Sequence, residues 1–462
     1  PDDPGPESGV SGRGSQQLSA IEMALARLRN ADPLPIATLE NHRRALVVGG
    51  GIAGMAAALA IADHGYPAAL IEGRDKLGGN LSWLNLTLEG HSVAALFEET
   101  LAKVENHPLV EVHLESTITA SFGEAGNFYT TVTDTDGESR TLQHATVILA
   151  TGGGEAATTA YGYGDHPAII TQKTLESKMG GEEFDTGVRS VVMIQCVESR
   201  EEPRNYCSRV CCPTSLKHAL KLKEIDPEIA VYILYRDMMT PGFLEGYFTE
   251  AREKGVFFIQ YDPENKPAPI MPETPQDPLY VAVVDPMLGR MLHIRADLLV
   301  LATGIVPRLD PGLADLFEAR IDRDGFFQEA DAKWRPVDAL KEGVFACGIV
   351  LSPRSIPEAV ASAQAAAQRS LRILSRKRVP AGKIVAMVRH SLCSLCERCI
   401  ETCPYGARSL DVNEGKILVN PVMCQGCGAC AAVCPSDAAV IDGYPAQQLL
   451  ETIDAAIEST VM

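Results

Sequence analysis

The sequence predicts an α/β protein: two doubly wound parallel sheets followed by a small cysteine-rich α+β unit. Three observations carry this. Short apolar runs alternate with helical stretches. A glycine loop follows the first such run, and cysteines recur at close, regular spacing near the C-terminal end.

At 462 residues the chain exceeds one core, so two or three domains are expected. Hydrophobic content of 46% and charged content of 22% are those of a globular protein. A net charge of −19 argues against nucleic acid as a partner, because nothing here would neutralise phosphates along a duplex. The most apolar window, Ala45 to Ala62, contains four glycines and is flanked by Arg43, Arg44 and Asp63. It reads as strand, turn and helix, and no membrane span is expected. No signal-peptide pattern follows Pro1, and a cytoplasmic location is expected. Of thirteen cysteines, twelve fall into three clusters and only Cys347 stands apart. Disulfide frameworks belong to small secreted domains, so metal ligation is the better reading.

In chain order, residues 1–15 read as a disordered leader or the remnant of a longer chain, followed by a short amphipathic helix with Ile21, Ala24, Leu25 and Leu28. Strand Arg44–Val48, a glycine loop, an alanine-rich helix to about Gly65 and strand Ala68–Ile71 form a βαβ unit. Further strands are expected at Val110–Leu114, Asn127–Asp134 and Thr146–Ala150. Strands Val191–Cys196 and Ala230–Tyr235 bracket a helix over about Pro213–Lys223. Strands Leu298–Ala302 and Val344–Ala346 precede a long helix, Glu358–Ser375. The proline-rich stretch 263–278 reads as a loop, and 376–382 as a linker. A cysteine-rich unit and a terminal helix from Ala446 complete the chain.

The loop Gly49-Gly50-Gly51-Ile52-Ala53-Gly54 fits GxGxxG. Gly49 makes the tight turn, Gly51 lets backbone approach a pyrophosphate, and Gly54 lets helix and strand pack closely. Glu72, eighteen residues past Gly54, is placed to accept ribose hydroxyl hydrogen bonds. The Gly78-Gly79 pair before Asn80 is usual in FAD sites and less so in NAD sites. The turns Ala150-Thr151-Gly152 and Ala302-Thr303-Gly304 resemble those of flavoproteins with two dinucleotide domains. FAD is the expected cofactor.

Near the C-terminal end, Cys393-x2-Cys396-x2-Cys399-x3-Cys403-Pro404 is repeated as Cys424-x2-Cys427-x2-Cys430-x3-Cys434-Pro435. In this pattern the fourth cysteine ligates the other cluster. Cys393, Cys396, Cys399 and Cys434 are therefore assigned to one [4Fe–4S] cluster, and Cys424, Cys427, Cys430 and Cys403 to a second. Paired CxxC also binds zinc, but zinc does not call for this run twice.

Where a second GxGxxG would bind a nicotinamide nucleotide, the strand runs instead into Cys196, followed by Tyr206-Cys207-Ser208-Arg209-Val210-Cys211-Cys212-Pro213. A third iron–sulfur cluster in place of the nicotinamide is one reading, favoured by thiolates at a helix N-terminus. Buried small cysteines, or a redox disulfide of the vicinal pair, are the others. By residue type alone Lys217 reads as a solvated surface lysine, against a cation beside the flavin ring.

Together these segments resemble the HdrA family, the A subunits of heterodisulfide reductase and their bacterial relatives. The matching text is RALVVGGGIAGMAAALAIADHGYPAALIEGRDKLGGNL, IQCVESREEPRNYCSRVCCPTSLKHALKLK, GVFACGIVLSPRSIPEAVASAQAAA and the double ferredoxin run. The resemblance spans about 16–460, with YCSRVCC its most specific part. It implies a thioredoxin-reductase-like fold around FAD, with three [4Fe–4S] clusters, the third held by Cys196, Cys207, Cys211 and Cys212. It implies that Lys217 lies near the flavin ring, that Ile118 contacts adenine, and that Gly348, Ile349 and Ile356 run past the ribityl chain and ring. It implies redox partner subunits of the HdrB and HdrC type or other donors and acceptors, ferredoxin among them, with a homodimer of the core as one arrangement. The domains expected are a leader and helix (1–40), the FAD domain in two parts (41–187 and 297–380), a second Rossmann-like domain carrying a cluster (188–296), the ferredoxin domain (384–445) and a C-terminal helix (446–462).

In this family the flavin splits electron pairs between high- and low-potential acceptors, although some members confurcate or only relay. Two departures bear on that. The leader is far too short for the cluster-bearing N-terminal domain of longer members, and no cysteine follows Gly79 until well past His107, where they carry a ferredoxin insert. Three readings follow: an anaerobic electron-transfer subunit with or without bifurcation, a relay and scaffold subunit, or a free-standing NAD(P)H oxidoreductase. The absent second fingerprint disfavours the last.

Overall fold

The computed structural model describes residues 11–29, 38–180, 184, 187–272, 277–308, 310–380, 385–420, 424–441 and 446–461. They group into two units, 41–377 and the described parts of 1–40 with 378–462.

In the larger unit, Ala45–Val48 lies at the centre of a five-stranded sheet in the order Val344–Ala346, Thr146–Leu149, Ala45–Val48, Ala68–Ile71 and Val110–His113. Every neighbouring pair is parallel. All residues of the three inner strands are buried, because helices and loops cover both faces. Helix Ile52–Asp63 packs on Ile356–Leu374, whose buried Ala359, Ala363, Ala366 and Ala367 permit close approach. The second helix starts on a capping box in which Ser355 accepts from the Glu358 amide and Glu358 accepts from the Ser355 amide.

A second five-stranded parallel sheet runs Ile169–Thr171, Leu298–Leu301, Ser190–Ile194, Ala230–Tyr235 and Phe257–Gln260. Side chains alternate between its faces. Val191 and Met193 join Leu216, Ala219 and Leu222 in one buried cluster, while Val192 and Ile194 join Val281, Val283 and Ile294 in another. Each parallel sheet is accompanied by a three-stranded antiparallel one: Ser116–Glu124, Asn127–Asp134 and Ser139–His144 for the first, and Ala268–Ile270, Leu279–Asp285 and Arg290–Ala296 for the second. The chain crosses between the halves on two short strands, Gly153–Glu155 and Ile305–Pro307, paired antiparallel.

The structure departs from the sequence reading in three places. Residues 11–15 belong to a helix, Ser11–Arg29, that packs on the terminal helix Ala446–Val461, so a partner supplies what local sequence does not; 1–10 lie outside the described residues. Ala268–Ile270, inside the expected proline-rich loop, pairs with Leu279–Asp285 as an edge strand, where proline is tolerated; 273–276 lie outside the described residues. Arg378–Pro380, inside the expected linker, pairs with Thr38–Glu40, while 381–384 lie outside the described residues.

Besides that pair, the smaller unit contains the antiparallel pair Ala386–Val388 with Ala439–Ile441 and the hairpin Arg408–Asp411 with Lys416–Val419. Among the described residues no helix is long and apolar enough to cross a membrane.

Gly54 packs so closely that a Cβ there would stand 1.8 Å from the Gly49 carbonyl oxygen, whereas one on Gly51, at φ −76°, would meet nothing within 4 Å. Gly54→Ala is expected to cost about 1–3 kcal/mol by overpacking, read as a lowered unfolding midpoint of the cofactor-free chain, and Gly51→Ala is expected to leave that midpoint unchanged.

Candidate functional site

The C-terminal edge of the first sheet opens into a cavity of about 890 Å³ within the larger unit. Its walls gather most of the residues singled out from the sequence: Gly49, Gly51, Ile52, Ala53, Glu72, Gly79, Asn80, Ile118, Ala150, Thr151, Gly152, Lys217, Gly304, Ile349 and Ile356. Three others stand behind the wall. Gly54 carries the helix against the loop; Gly78 has φ +121° with Phe97 where a Cβ would go; and Gly348 has φ +76° with the Ala53 Cβ 2.7 Å from such an atom. These three shape the cavity by permitting close contacts and do not line it.

Glu72 ends its strand with both carboxylate oxygens engaged, Oε2 accepting from the Gly50 amide at 2.7 Å and Oε1 from the Arg74 amide at 3.0 Å. Asn80 donates through Nδ2 to the Gly153 carbonyl at 3.0 Å, fastening the glycine pair to the crossing strand. Arg74 and Arg308 line the cavity near Glu72, and burial, reinforced by Arg74, lowers the Arg308 pKa. Sequence reasoning missed Arg308, which lies four residues past Gly304 in no motif of its own.

The segment 195–210 stands where the second sheet's glycine loop would be. Four of its non-glycine residues adopt left-handed backbone: Cys196 (φ 59°), Glu198 (47°), Arg200 (63°) and Arg209 (61°). Each costs about 1–2 kcal/mol, so the loop needs external bracing. Arg204 Nη1 donates to the Thr303 carbonyl at 2.9 Å, Tyr206 Oη to the Ile305 carbonyl at 2.8 Å, and the Ile305 amide to Ser208 Oγ at 2.9 Å. The cysteine loop is thereby clamped onto the crossing strand.

Cys196, Cys207, Cys211 and Cys212 lie close enough to feel one another's charge. Burial, then the neighbouring Cys212, Cys196 and Cys207, pushes the Cys211 thiol far above its ordinary value; burial, together with Cys196 and Cys207, lifts that of Cys212 to about 12. Burial also raises Cys196, against Arg200 and Arg236, whose guanidinium groups lower it. Arg200 Nη1 and Arg236 Nε are buried donors with no hydrogen-bond partner among the described residues. Of the four cysteines, Cys211 lines the cavity. No three His, Cys, Asp or Glu side chains among the described residues close around a point the size of one metal ion.

Lys217, about one helix turn beyond Pro213 on the same helix, Cys211–Ile225, is buried with its side chain only 11% exposed, so it is no solvated surface lysine. Its Nζ lies 2.7 Å from Glu176 Oε2 and donates to the Leu86 carbonyl at 2.9 Å. Burial pulls the ammonium below its ordinary pKa, opposed by the Glu176 carboxylate. Nothing in the sequence marks Glu176, because its partners lie far away along the chain.

In the smaller unit, Cys393, Cys396, Cys399 and Cys434 line one hollow, while Cys424 and Cys430 pack with Cys399 and Cys403 around Ala386 and Ala407. Backbone amides point at the sulfurs: Ala407 to Cys403 at 3.3 Å, Ala386 to Cys424 at 3.4 Å and Ala439 to Cys434 at 3.4 Å. Burial raises the Cys434 thiol, but donors from Ala439, Ser436 and Ala438 outweigh it and hold it below its ordinary value. Arg408 Nη2 donates to Cys430 Sγ at 3.1 Å, while its Nη1 is buried without a partner among the described residues.

The two cysteine runs repeat one backbone shape. Leu395 (φ 56°) and Glu397 (60°) in the first occupy the left-handed positions of Gly426 (62°) and Gly428 (80°) in the second. Gly428→Ala is expected to cost about 1 kcal/mol, read as faster hydrogen exchange across 424–441, whereas Glu397→Gly relieves the equivalent strain and is expected to slow exchange or leave it unchanged.

Residues 43–193 match the pyridine nucleotide-disulphide oxidoreductase family and residues 392–438 the 4Fe-4S dicluster domain. The chain is 30% identical to the iron-sulfur A subunit of the CoB–CoM heterodisulfide reductase of Methanocaldococcus jannaschii, over 96% of this chain and 81% of the relative. It is 27% identical to the A subunit of the ferredoxin:CoB-CoM heterodisulfide reductase of Methanosarcina acetivorans, over 97% and 71%. Two thioredoxin reductases share the fold at 18% identity. The T. acidophilum structure has a TM-score of 0.50 and covers 71% of this chain and 98% of its own; that from Lactococcus lactis has a TM-score of 0.51, covering 72% and 99%.

Proposed function

Since the chain belongs to the HdrA family of heterodisulfide reductase A subunits, we propose that this oxidoreductase holds FAD in the large cavity and three [4Fe–4S] clusters, and passes electrons between them as one component of a larger complex. The observation that carries the reading is Cys211, which belongs to the cysteine loop and also lines the cavity. A cluster held there would sit against the flavin, in the place of a nicotinamide.

The residues fit these groups. Gly51 presents bare backbone at a helix N-terminus, where N–H groups and the helix dipole favour a diphosphate. Glu72 is anchored at the end of the second strand, as a ribose acceptor must be. Arg200 Nη1, Arg236 Nε and Arg408 Nη1 are orphaned buried donors beside cysteines, the setting in which an anionic cluster supplies acceptors. FAD supplies one- and two-electron chemistry when bound. Lys217 is read as a cation that faces the ring and favours its reduced, anionic form. Partners of the HdrB and HdrC type, or ferredoxin, fit a chain that has ferredoxin-type cysteine runs and no second glycine fingerprint. The family's bifurcating mode and a simple relay are distinguished by the flavin's two one-electron potentials: crossed values select bifurcation, ordered values the relay.

The replacement Cys211→Ser with Cys212→Ser is expected to lower iron from about twelve to about eight atoms per chain, measured by colorimetric iron assay after anaerobic reconstitution; unchanged iron would refute the ligand assignment. Gly51→Ala is expected to weaken FAD binding at least tenfold by fluorescence titration, since its added methyl stands where the pyrophosphate would approach. Reduction of the purified chain by NADPH at a catalytic rate would overturn the functional reading.

A further inference from the structure

Three titratable side chains outside every glycine and cysteine motif meet at one point beside the cavity. Glu176 projects from helix Gln172–Gly180, and Lys217 and His218 from helix Cys211–Ile225. Glu176 Oε2 receives Lys217 Nζ at 2.7 Å and His218 Nε2 at 2.6 Å, and Oε1 accepts from the Asn85 amide at 2.9 Å. His218 is wholly buried, and its Nδ1 has no hydrogen-bond partner among the described residues. That pattern assigns the ring proton to Nε2 and makes the imidazole a fixed neutral donor to the carboxylate.

Two of the three ammonium protons of Lys217 are committed, one to Glu176 and one to the Leu86 carbonyl. The third is left for the cavity, which Lys217 and Glu176 both line. A lysine so enclosed gives up its proton readily unless a counter-charge holds it. We infer that Glu176 is the positioning residue that keeps Lys217 charged and directed at the cavity, with His218 holding the carboxylate in place. The inference rests on the reading of Lys217 as the cation facing the flavin ring.

Burial pushes the Glu176 carboxyl up, but His218 and Lys217 outweigh it and hold it down to about 2, so it is ionised throughout the neutral range. This carboxylate acts in two opposed ways. It strengthens the hold of Lys217 on its proton, and its own charge offsets that of the ammonium as felt from the cavity. Glu176→Gln removes both effects. Where Lys217 is still protonated, an uncompensated positive charge raises the flavin potential above wild type. Where Lys217 has lost its proton, the potential falls below wild type. The other charged groups that line the cavity, among them Glu89, Glu155, Lys173, Arg209, Arg354 and Glu358, are common to both proteins and cancel in the difference.

The test is a spectroelectrochemical titration of the FAD-loaded full chain between about pH 6 and about pH 10, the range in which a shifted lysine ionises. Lys217→Met is expected to lower the potential with FAD retained. Glu176→Gln is expected to cross the wild-type curve, and Lys217→Arg added to it, with a charge that does not titrate, to abolish the crossing. If Lys217→Met shifts the potential while Glu176→Gln runs parallel to wild type, the inference falls and the lysine reading stands. If Lys217→Met leaves the potential unmoved, both fall. Should Glu176→Gln fail to retain flavin, His218→Leu is read instead, and a wild-type profile for it overturns the proposal.

Discussion

The antiparallel pairing of Gly153–Glu155 with Ile305–Pro307 is the constraint on which the larger unit depends. The chain leaves the first parallel sheet after Thr146–Leu149 and returns to it only after the second sheet is complete, so both crossings must lie side by side. Their geometry brings Gly152 and Gly304, at φ +77° and +85°, to the same cavity. It also provides the backbone groups of Thr303 and Ile305 that grip the cysteine loop. Loop 195–210, with four left-handed non-glycine residues, is held in shape by these contacts, because its own backbone preferences oppose that shape.

The chemistry gathered by this crossing is dominated by desolvation. Buried thiols are pushed up in pKa by their surroundings and by each other, which leaves them poor sites for protons to leave and strong sites for a positively charged partner to bind. Arg200 and Arg236 temper the effect at Cys196. The same physics acts in reverse on Lys217, whose ammonium is disfavoured by burial and restored in part by Glu176. In the smaller unit, donors from Ala439, Ser436 and Ala438 outweigh burial at Cys434 and hold that thiol below its ordinary value.

The strands Ala68–Ile71, Asn127–Asp134, Ala230–Tyr235 and Val344–Ala346 stand where periodicity and flanking turns put them. These segments are apolar enough, or alternate cleanly enough, that burial settles their conformation locally. The antiparallel strands Ser116–Glu124, Ser139–His144 and Arg290–Ala296 were illegible, since they are polar and half exposed and become strands only by pairing. Thr38–Glu40 with Arg378–Pro380 is the extreme case, its two partners lying far apart along the chain.

The sequence by itself determined much of the chemistry: glycines where backbone must approach a ligand, an acid at the end of the second strand, and, in the repeated run from Cys393 to Cys434, cysteines at the spacing of paired iron–sulfur clusters. These are local demands, written in residues that few other structures call for. Only the tertiary structure decided which of those glycines line the cavity and which stand behind it, that Cys211 lines the same cavity as Gly51, and that Glu176 and His218 close on Lys217. Those are relations between helices and strands distant in sequence, and burial and charge pairing create them only once the two sheets have folded back onto one another.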